Sequence, residues 1–350
     1  MKILVIRRDN IGDLVCTTPL IAALRRHFPA AEIRALVNSY NAAVLENNPD
    51  VDAIHAYTKA KHRPPHQSVT RAYWEQLKMF AGLRRQHFDY AILAGAPFLP
   101  RALKLARLIK PRHIVGFTEP GKRGTRHIDI AVPYGPPRPL HEVEDIFRLL
   151  APLGVQGQPP HARVFAAPSE ADRAKSRVEA QAWRPAPLLI GIHISARKPS
   201  QRWPAESFAE LIRQLHRTQA ATFMLFWSPG ESDNPLHPGD DAKAEAIMHT
   251  LPSIPVLAYP TRELGQLIGG LSICDAIICS DGGAMHLAAG LGKPLLCLFG
   301  KSDATRWHPW GVPHRVLQPA SLDVSDISTK DAMTAFAALL REVSSRAPEG

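Results

Sequence analysis

The sequence predicts an α/β protein built from two doubly wound parallel sheets, and three observations support this. The chain has 350 residues, which is long for one core and typical of two domains. Short apolar runs alternate with segments whose apolar residues recur at helical spacing, as in KILVI followed by LVCTTPLIAALRR. A Pro- and Ala-rich stretch at 159–168 separates two halves that show the same alternation. Strands that alternate with helices form parallel sheets covered on both faces.

Residues 1–165 are predicted to form the first domain. Its strands are expected at KILVIRR, EIRALVN, VDAIHAY, DYAILAG and HIVGF. Helices are expected after the first strand, from Thr70 to Gln86, over LPRALKLARLIKP, and over HEVEDIFRLLAPLG, where Gly154 ends the helix.

Residues 166–350 are predicted to form a second domain of the same kind. Its strands are expected at LLIGIHI, TFMLFW, IPVLAY, DAIICS and PLLCLFG. Pro204 is expected in the first turn of a helix over PAESFAELIRQLHR, and Thr261 as the N-cap of a helix over TRELGQLIGGLSIC. A last helix is expected at about 328–345, with packing back on the first domain as one arrangement open to it.

The positive charge of the chain lies in its first half. The formal net charge is +10, and residues 1–165 hold 24 of the 42 Lys and Arg residues but only 13 of the 32 Asp and Glu residues. Such a distribution indicates an acidic partner for the first domain, either nucleic acid, an anionic membrane surface or a small acidic substrate, although a solvated basic surface would look the same.

The cysteines and the N-terminus favour a cytosolic chain. The four cysteines lack the paired spacing of a zinc site and lie in or beside apolar runs, so we expect reduced core thiols. The first apolar run ends at Arg7 and Arg8, which is too short for a signal peptide, and no apolar run is long enough to span a membrane. Any membrane contact is therefore expected to be peripheral, at the cytoplasmic face.

A glycine-rich junction, SDGGAMH, lies between a buried strand and a helix. The turn at Asp281, Gly282 and Gly283 lets the first N–H groups of the helix, at Gly283, Ala284 and Met285, point at an anion, and the helix dipole favours negative charge there. His286 can add a further donor. The junction predicts a phosphate site, although a DGG turn alone is also a common corner between a strand and a helix.

Four motifs in order along the chain resemble glycosyltransferase family 9, the lipopolysaccharide heptosyltransferase family. They are NIGD after the first strand, SARKPSQRWPAESFAEL, WSPGE after a strand, and SDGGAMHLAAGLGKPLLCLFG. The resemblance implies the GT-B fold, in which two Rossmann-like domains face a central cleft, with the acceptor in the first domain and the nucleotide-sugar donor in the second.

The resemblance also assigns roles to particular residues. It implies that Asp13 is the base that deprotonates the acceptor hydroxyl, in a single inverting displacement; from the sequence alone, Asp13 could equally cap the helix that follows. The loop from Ser195 to Trp203, with Lys198 and Arg202, would hold the donor phosphates, and Glu231 would contact the donor ribose. The implied donor is ADP-heptose, a co-substrate, with no cofactor and no metal.

Two departures from the family pattern concern the donor. The family commonly has Lys where this chain has Gln201, and Thr where it has Gly282. Lys198 or Arg202 could replace the missing cation, and another nucleotide-sugar donor is the first alternative function.

The acceptor is expected to be an anionic glycolipid, the inner core of lipopolysaccharide. Its binding is assigned to Asn10 and to the cations of the GKRGTR loop, Lys122, Arg123 and Arg126. The helix that carries Arg101, Lys104, Arg107 and Lys110 could rest on lipid headgroups or be a solvated face. More distant alternatives are a nucleotide-sugar epimerase or hydrolase and a basic nucleic-acid-binding protein; the chain lacks nucleic-acid-binding motifs, so no nucleic-acid partner is expected.

Overall fold

The computed structural model describes residues 1–58, 69–136, 138–183, 185–234 and 238–346. The chain divides into two compact units, Met1–Val164 and Phe165–Gly350. Each unit contains one six-stranded, wholly parallel sheet with helices between the strands. The prediction of two doubly wound parallel sheets is confirmed.

The first unit has the strand order β3-β2-β1-β4-β5-β6. Its strands are β1 Lys2–Ile6, β2 Glu32–Asn38, β3 Ala53–Tyr57, β4 Tyr90–Leu93, β5 His113–Thr118 and β6 Ile130–Pro133. Its helices are α1 Ile11–Val15, α2 Thr18–His27, α3 Val69–Arg84, α4 Pro100–Ile109 and α5 Glu142–Phe147.

The second unit repeats this order with β9-β8-β7-β10-β11-β12. Its strands are β7 Leu188–His193, β8 Ala221–Trp227, β9 Val256–Pro260, β10 Ala276–Ser280, β11 Leu295–Leu298 and β12 His314–Leu317. Its helices are α6 Pro168–Glu179, α7 Ala205–Gln219, α8 Asp241–His249, α9 Leu264–Ser272, α10 Gly283–Gly290, α11 Ala304–Trp307 and α12 Thr329–Arg346. Helix α12 packs on α7, β11 and β12.

The strand order reverses between β1 and β4 in the first sheet and between β7 and β10 in the second. In open parallel sheets, ligands bind beyond the carboxyl ends of the strands at this switch point. The short helix α1, which contains Asp13, follows β1, and the loop that contains Asp281 follows β10. The fold therefore places both predicted motifs where such sheets bind ligands.

The central strands are buried on both faces, as their continuous apolar sequences require. All seven residues of β8 are buried, and the core of the second unit includes Trp203, which is 1% exposed. The indole Nε1 of Trp203 donates to the carbonyl of Ile327 at 2.9 Å, and its ring meets Phe208 edge-on. Trp203 therefore anchors the end of the loop that follows β7.

The helix starts differ from the sequence predictions at three places. Thr261 is not the N-cap of α9: Glu263 is, while the hydroxyl of Thr261 donates to the carbonyl of Trp227 at 3.2 Å. Pro204 precedes the first turn of α7 as its N-cap. The helix expected after the first strand is two helices, with Pro19 in the first turn of the second.

All four cysteines are buried and none forms a disulfide. Cys279 and Cys297 lie opposite each other on the adjacent strands β10 and β11. Burial raises the pKa of Cys274 and of Cys297. Among the described residues, no helix has both the length and the apolar character needed to cross a bilayer.

Replacing either of two glycines in α9 with alanine is expected to change the stability of the second unit, but in opposite directions. A Cβ at Gly269 would lie 2.6 Å from Cβ and 2.7 Å from the carbonyl carbon of Glu170 in α6, whereas one at Gly265 would meet its nearest atom at 4.0 Å. We expect Gly269→Ala to destabilise the second unit by about 1–3 kcal/mol through overpacking. Gly265→Ala, the matched control, should stabilise it by about 0.5 kcal/mol through helix propensity. Urea unfolding followed by circular dichroism measures both, and equal effects of the two substitutions would refute the close packing of α6 on α9.

Candidate active site

A buried guanidinium organises the carboxyl edge of the first sheet. Arg7 directly follows β1 and is 2% exposed. Its Nη2 lies 2.6 Å from Oδ1 of Asp13 and 2.9 Å from Oε1 of Glu142, and its Nε lies 3.3 Å from Oδ2 of Asp9. Its Nη1 donates to the carbonyl of Ala94, after β4, at 2.6 Å. Arg7 thus joins the loops after β1 and β4 to the start of α5.

Asp13 is fixed on both carboxylate oxygens. It occupies the third position of α1, and its Oδ2 accepts from the backbone N–H of Asn10 at 2.9 Å and from Nδ2 of Asn10 at 3.1 Å. Burial raises the pKa of Asp13, but the charge of Arg7 and the hydrogen bonds from Asn10 and Arg7 outweigh it, so the pKa lies below its ordinary value. Asp13 is therefore ionised at neutral pH, and it caps α1 as well as facing Arg7.

Glu142 and Arg7 belong to this cluster of charges and were not predicted as site residues from the sequence. The carboxylate of Glu142 is 1% exposed, although 135 residues separate it from Arg7 along the chain. The only signal was an acidic residue at the start of a short amphipathic segment, HEVEDIF, which also fits a solvated helix end.

A cavity of about 660 Å³ adjoins this ion-pair cluster. Its wall combines two guanidinium groups, one carboxylate, and aromatic and aliphatic side chains. The lining residues are Arg8, Asp9, Tyr57, Gln76, Phe80, Leu99, Pro100, Arg101, Ala102 and Leu105. Arg8 donates to the hydroxyl of Tyr57. Asp9 lines the cavity and also forms the ion pair with Arg7, so it connects the cavity to the cluster of charges. The cavity suits a ligand that has an apolar face and negative charge.

The predicted acceptor residues lie on the surface of the first unit. Asn10 is the exposed N-cap of α1, and Lys122, Arg123 and Arg126 are exposed on the loop after β5. Slight burial lowers the pKa of His127, and so do the positive charges of Arg107 in α4 and Arg126 in the GKRGTR loop. The basic residues of α4 and those of the GKRGTR loop are therefore neighbours. None of these four predicted residues lines the cavity.

In the second unit, a side-chain amide joins the loops after β7 and β10. Nε2 of Gln201 donates to Oδ2 of Asp281 at 2.5 Å and to Oγ of Ser302 at 3.1 Å. Gln201 is 6% and Asp281 9% exposed. Gln201 stands where the family commonly has Lys, so this chain holds Asp281 with a neutral donor.

Helix α10 begins two residues after Asp281. A Cβ added at its N-cap, Gly282, would meet nothing within 4 Å, so there is open space at this helix terminus. The first N–H groups of a helix have no partner within the helix, and Gly283, Ala284 and Met285 supply them here. His286 is 5% exposed, and its ring meets Trp307 edge-on at 6.0 Å between centroids.

The other predicted donor residues divide between structural and exposed positions. Oγ of Ser195 accepts from the N–H of Ser228 at 2.9 Å. Arg202 pairs with the fully buried carboxylate of Asp240 and donates to the carbonyl of Ala196 at 2.9 Å. Lys198 and Glu231 are exposed.

A half-buried cluster beneath these loops, formed by His193 and Lys243, was not predicted from the sequence. Nζ of Lys243 donates to the carbonyl of Ile194 at 3.2 Å and lies 4.9 Å from the ring centroid of Phe208. Burial lowers the pKa of Lys243 to about 8, while Asp240 opposes this shift. Burial and the charge of Lys243 lower the pKa of His193 to about 4, so His193 is neutral at pH 7.

Comparisons with known proteins agree with this architecture. The family model described as glycosyltransferase family 9 (heptosyltransferase) matches residues 76–332. The chain is 25% identical over 307 residues to lipopolysaccharide heptosyltransferase 3 of Escherichia coli (strain K12), covering 85% of this chain and 82% of that protein.

Two solved structures share the fold over nearly the whole chain. A family 9 glycosyltransferase from Veillonella parvula superposes with a TM-score of 0.80 at 20% identity, covering 97% of each chain. The E. coli ADP-heptose lps heptosyltransferase II superposes with a TM-score of 0.77 at 20% identity, covering 98% of this chain and all of that one. The GT-B fold implied by the motifs is confirmed, and the chain belongs to glycosyltransferase family 9, the heptosyltransferase family.

Proposed function

We propose that this glycosyltransferase moves a heptose from ADP-heptose onto the inner core of lipopolysaccharide, with inversion at the anomeric carbon. The observation that carries the proposal is Asp13, an ionised carboxylate held by Arg7 beside a cavity with a cationic wall. The similar heptosyltransferases of E. coli support the sugar, the nucleotide and the acceptor.

Asp13 is the base of the proposed reaction. The carboxylate takes the proton of the acceptor hydroxyl as the oxygen attacks the anomeric carbon, and the bond to the diphosphate breaks on the opposite face of the sugar. Arg7 and Asn10 fix the direction of the carboxylate, so that little reorganisation is needed during attack. A base with a lowered pKa is weak, but it is fully ionised at neutral pH.

The cavity beside Asp9 receives the acceptor. Arg8 and Arg101 pair with its negative groups, and the side chains of Tyr57, Phe80 and Leu105 cover the apolar face of a sugar ring. Lys122, Arg123 and Arg126 supply attraction for an anionic glycolipid at longer range.

The diphosphate of the donor binds at the N-terminus of α10. The N–H groups of Gly283, Ala284 and Met285 take its charge as the bond breaks, with Lys198 as an exposed cation of the loop after β7 and His286 as a further donor. The carboxylate of Asp281 accepts hydrogen bonds from hydroxyl groups of the sugar, and the carboxylate of Glu231 accepts hydrogen bonds from the hydroxyl groups of the ribose. In this proposal these groups replace a metal as the stabiliser of the leaving group.

A different nucleotide-sugar donor is the second candidate, and Gln201 favours it. Compared with a Lys at this position, the neutral amide of Gln201 removes one positive charge from the proposed donor site. A nucleotide-sugar donor with less negative charge than ADP-heptose would lose less affinity from this change.

We expect Asp13→Asn to lower steady-state transfer about 10²–10⁴-fold, because the amide cannot accept the proton. Affinity for ADP, measured by calorimetry, should be unchanged. Asp172→Asn is the matched control, since Asp172 is 72% exposed and pairs with the exposed Lys175 at 3.7 Å. Wild-type rates in Asp13→Asn would remove Asp13 as the base.

We expect the acid limb of kcat/KM that belongs to Asp13 to lie below the ordinary pKa of an aspartic acid, because the charge of Arg7 and the hydrogen bonds to the carboxylate outweigh burial and depress the pKa of Asp13. Arg7→Gln removes the charge that lowers this pKa, so the limb should move up by about one pH unit or more. Asn10→Ala removes one hydrogen bond to the carboxylate and should move it less, in the same direction. The measurement is the pH profile of kcat/KM, with thermal unfolding as the check on folding. A limb that stays in place in both folded variants would contradict the assignment.

We expect ADP to bind more tightly than UDP, GDP or CMP in calorimetric titrations. Gln201→Lys should strengthen ADP binding about tenfold, and Gln201→Glu should weaken it by a similar factor, because the substituted charge lies next to the N-terminus of α10. Gln219→Lys makes the same change in charge at the end of α7, just before the amino end of β8 and away from the carboxyl ends of the strands. This control should have no effect on ADP binding. Tighter binding of another nucleotide would exclude ADP-heptose and leave the glycosyltransferase assignment intact; equal affinities in both Gln201 variants would place the diphosphate elsewhere.

A further inference from the structure

Helices α3 and α4 expose large apolar side chains that have no place in the core. Trp74 is 60%, Leu77 57% and Leu108 47% exposed. These are three of the six large hydrophobic residues that are exposed in the described part of the chain, and they fall on two neighbouring helices. We call the solvent-facing side of α3 and α4 the outer face.

The outer face is one continuous surface. The opposite sides of the two helices contribute to the same core cluster over the first sheet, with Phe80 and Leu83 from α3 and Leu103 and Ala106 from α4. The helices therefore lie side by side on one face of the sheet, and their remaining sides both point away from it.

The outer face is strongly cationic. Residues 74–84 of α3 and 100–109 of α4 contain five Lys and Arg residues, all of them exposed, and one acidic residue, Glu75. Nζ of Lys78 lies 5.5 Å from the ring centroid of Trp74. Arg107 extends the charge toward the GKRGTR loop, because it and Arg126 both act on His127.

This combination matches the interface of an anionic bilayer. Tryptophan is favoured at headgroup level, leucine inserts into the acyl boundary, and cations pair with lipid phosphates. A nucleic acid would engage the cations but would offer no apolar environment to Leu77 and Leu108. Singly scattered surface hydrophobics are ordinary, but here they are grouped within a basic field.

We propose that the outer face docks on the surface of an anionic lipid bilayer. Gln76, Phe80, Arg101 and Leu105 line the cavity from the same two helices, so docking would hold the cavity at headgroup level. The inference deepens the proposed function, on which it rests for the membrane-anchored acceptor.

The test is flotation of the protein with vesicles that contain phosphatidylglycerol and with vesicles of phosphatidylcholine alone, without donor or acceptor. We expect the wild type to bind the first and not the second. Leu77→Glu combined with Leu108→Glu should lower the partition coefficient at least about tenfold. Leu322→Glu is the matched control, because Leu322 is 41% exposed in the second unit.

The Leu77→Glu/Leu108→Glu double variant and the Leu322→Glu control should both transfer sugar to a soluble, delipidated acceptor at the wild-type rate. Loss of vesicle binding with this activity retained supports the docking surface. The proposal would be overturned if the wild-type protein does not bind vesicles that contain phosphatidylglycerol. It would also be overturned if the Leu77→Glu/Leu108→Glu double variant binds these vesicles as the wild type does, because the surface would then bind polyanions through charge alone. Vesicle binding that behaves as expected in a protein without transferase activity would reject the proposed function while the docking surface stands.

Discussion

The candidate site of the first unit depends on the ion pairs that the buried guanidinium of Arg7 forms. This guanidinium meets three carboxylates and one carbonyl that come from the end of β1, the loop after β4 and the start of α5. A buried ion pair gains little over an apolar contact, but removing one partner leaves an uncompensated charge and costs about 3–5 kcal/mol. The cluster is therefore held together as a whole. It also fixes both the direction and the ionisation of Asp13, and through Asp9 it connects that carboxylate to the cavity.

The second unit solves the same architectural problem with different chemistry. Both sheets have the same strand order, and in both a side chain ties together the loops at the switch point. In the second unit the tie is the amide of Gln201 on Asp281, while Arg202 is paired with Asp240 and Lys243 donates to a backbone carbonyl. The loops at this switch point are thus joined by a neutral donor, and Lys198 of the loop after β7 is exposed.

The sequence predicted what depends on local pattern and missed what depends on distant partners. Buried parallel strands have continuous apolar sequences, so β8 and β10 were recognisable, whereas β12, half-buried along its whole length, was not. Asp13 and the SDGG turn were found because they follow strands within recognisable motifs. Glu142 and Asp240 were not, because each acquires its partner only when the chain folds; the partner of Asp240 is Arg202, for which donor binding stays a prediction.

The buried cysteines have a practical consequence. A thiol reacts as the thiolate and only where reagent can reach it, and here all four side chains are enclosed in the cores, two of them with raised pKa values. We therefore expect the folded enzyme to react little with maleimides, so that labelling needs no cysteine-free variant. A single cysteine introduced at an exposed position would be its one reactive thiol, which makes site-specific fluorescent or spin labelling of the wild-type framework straightforward.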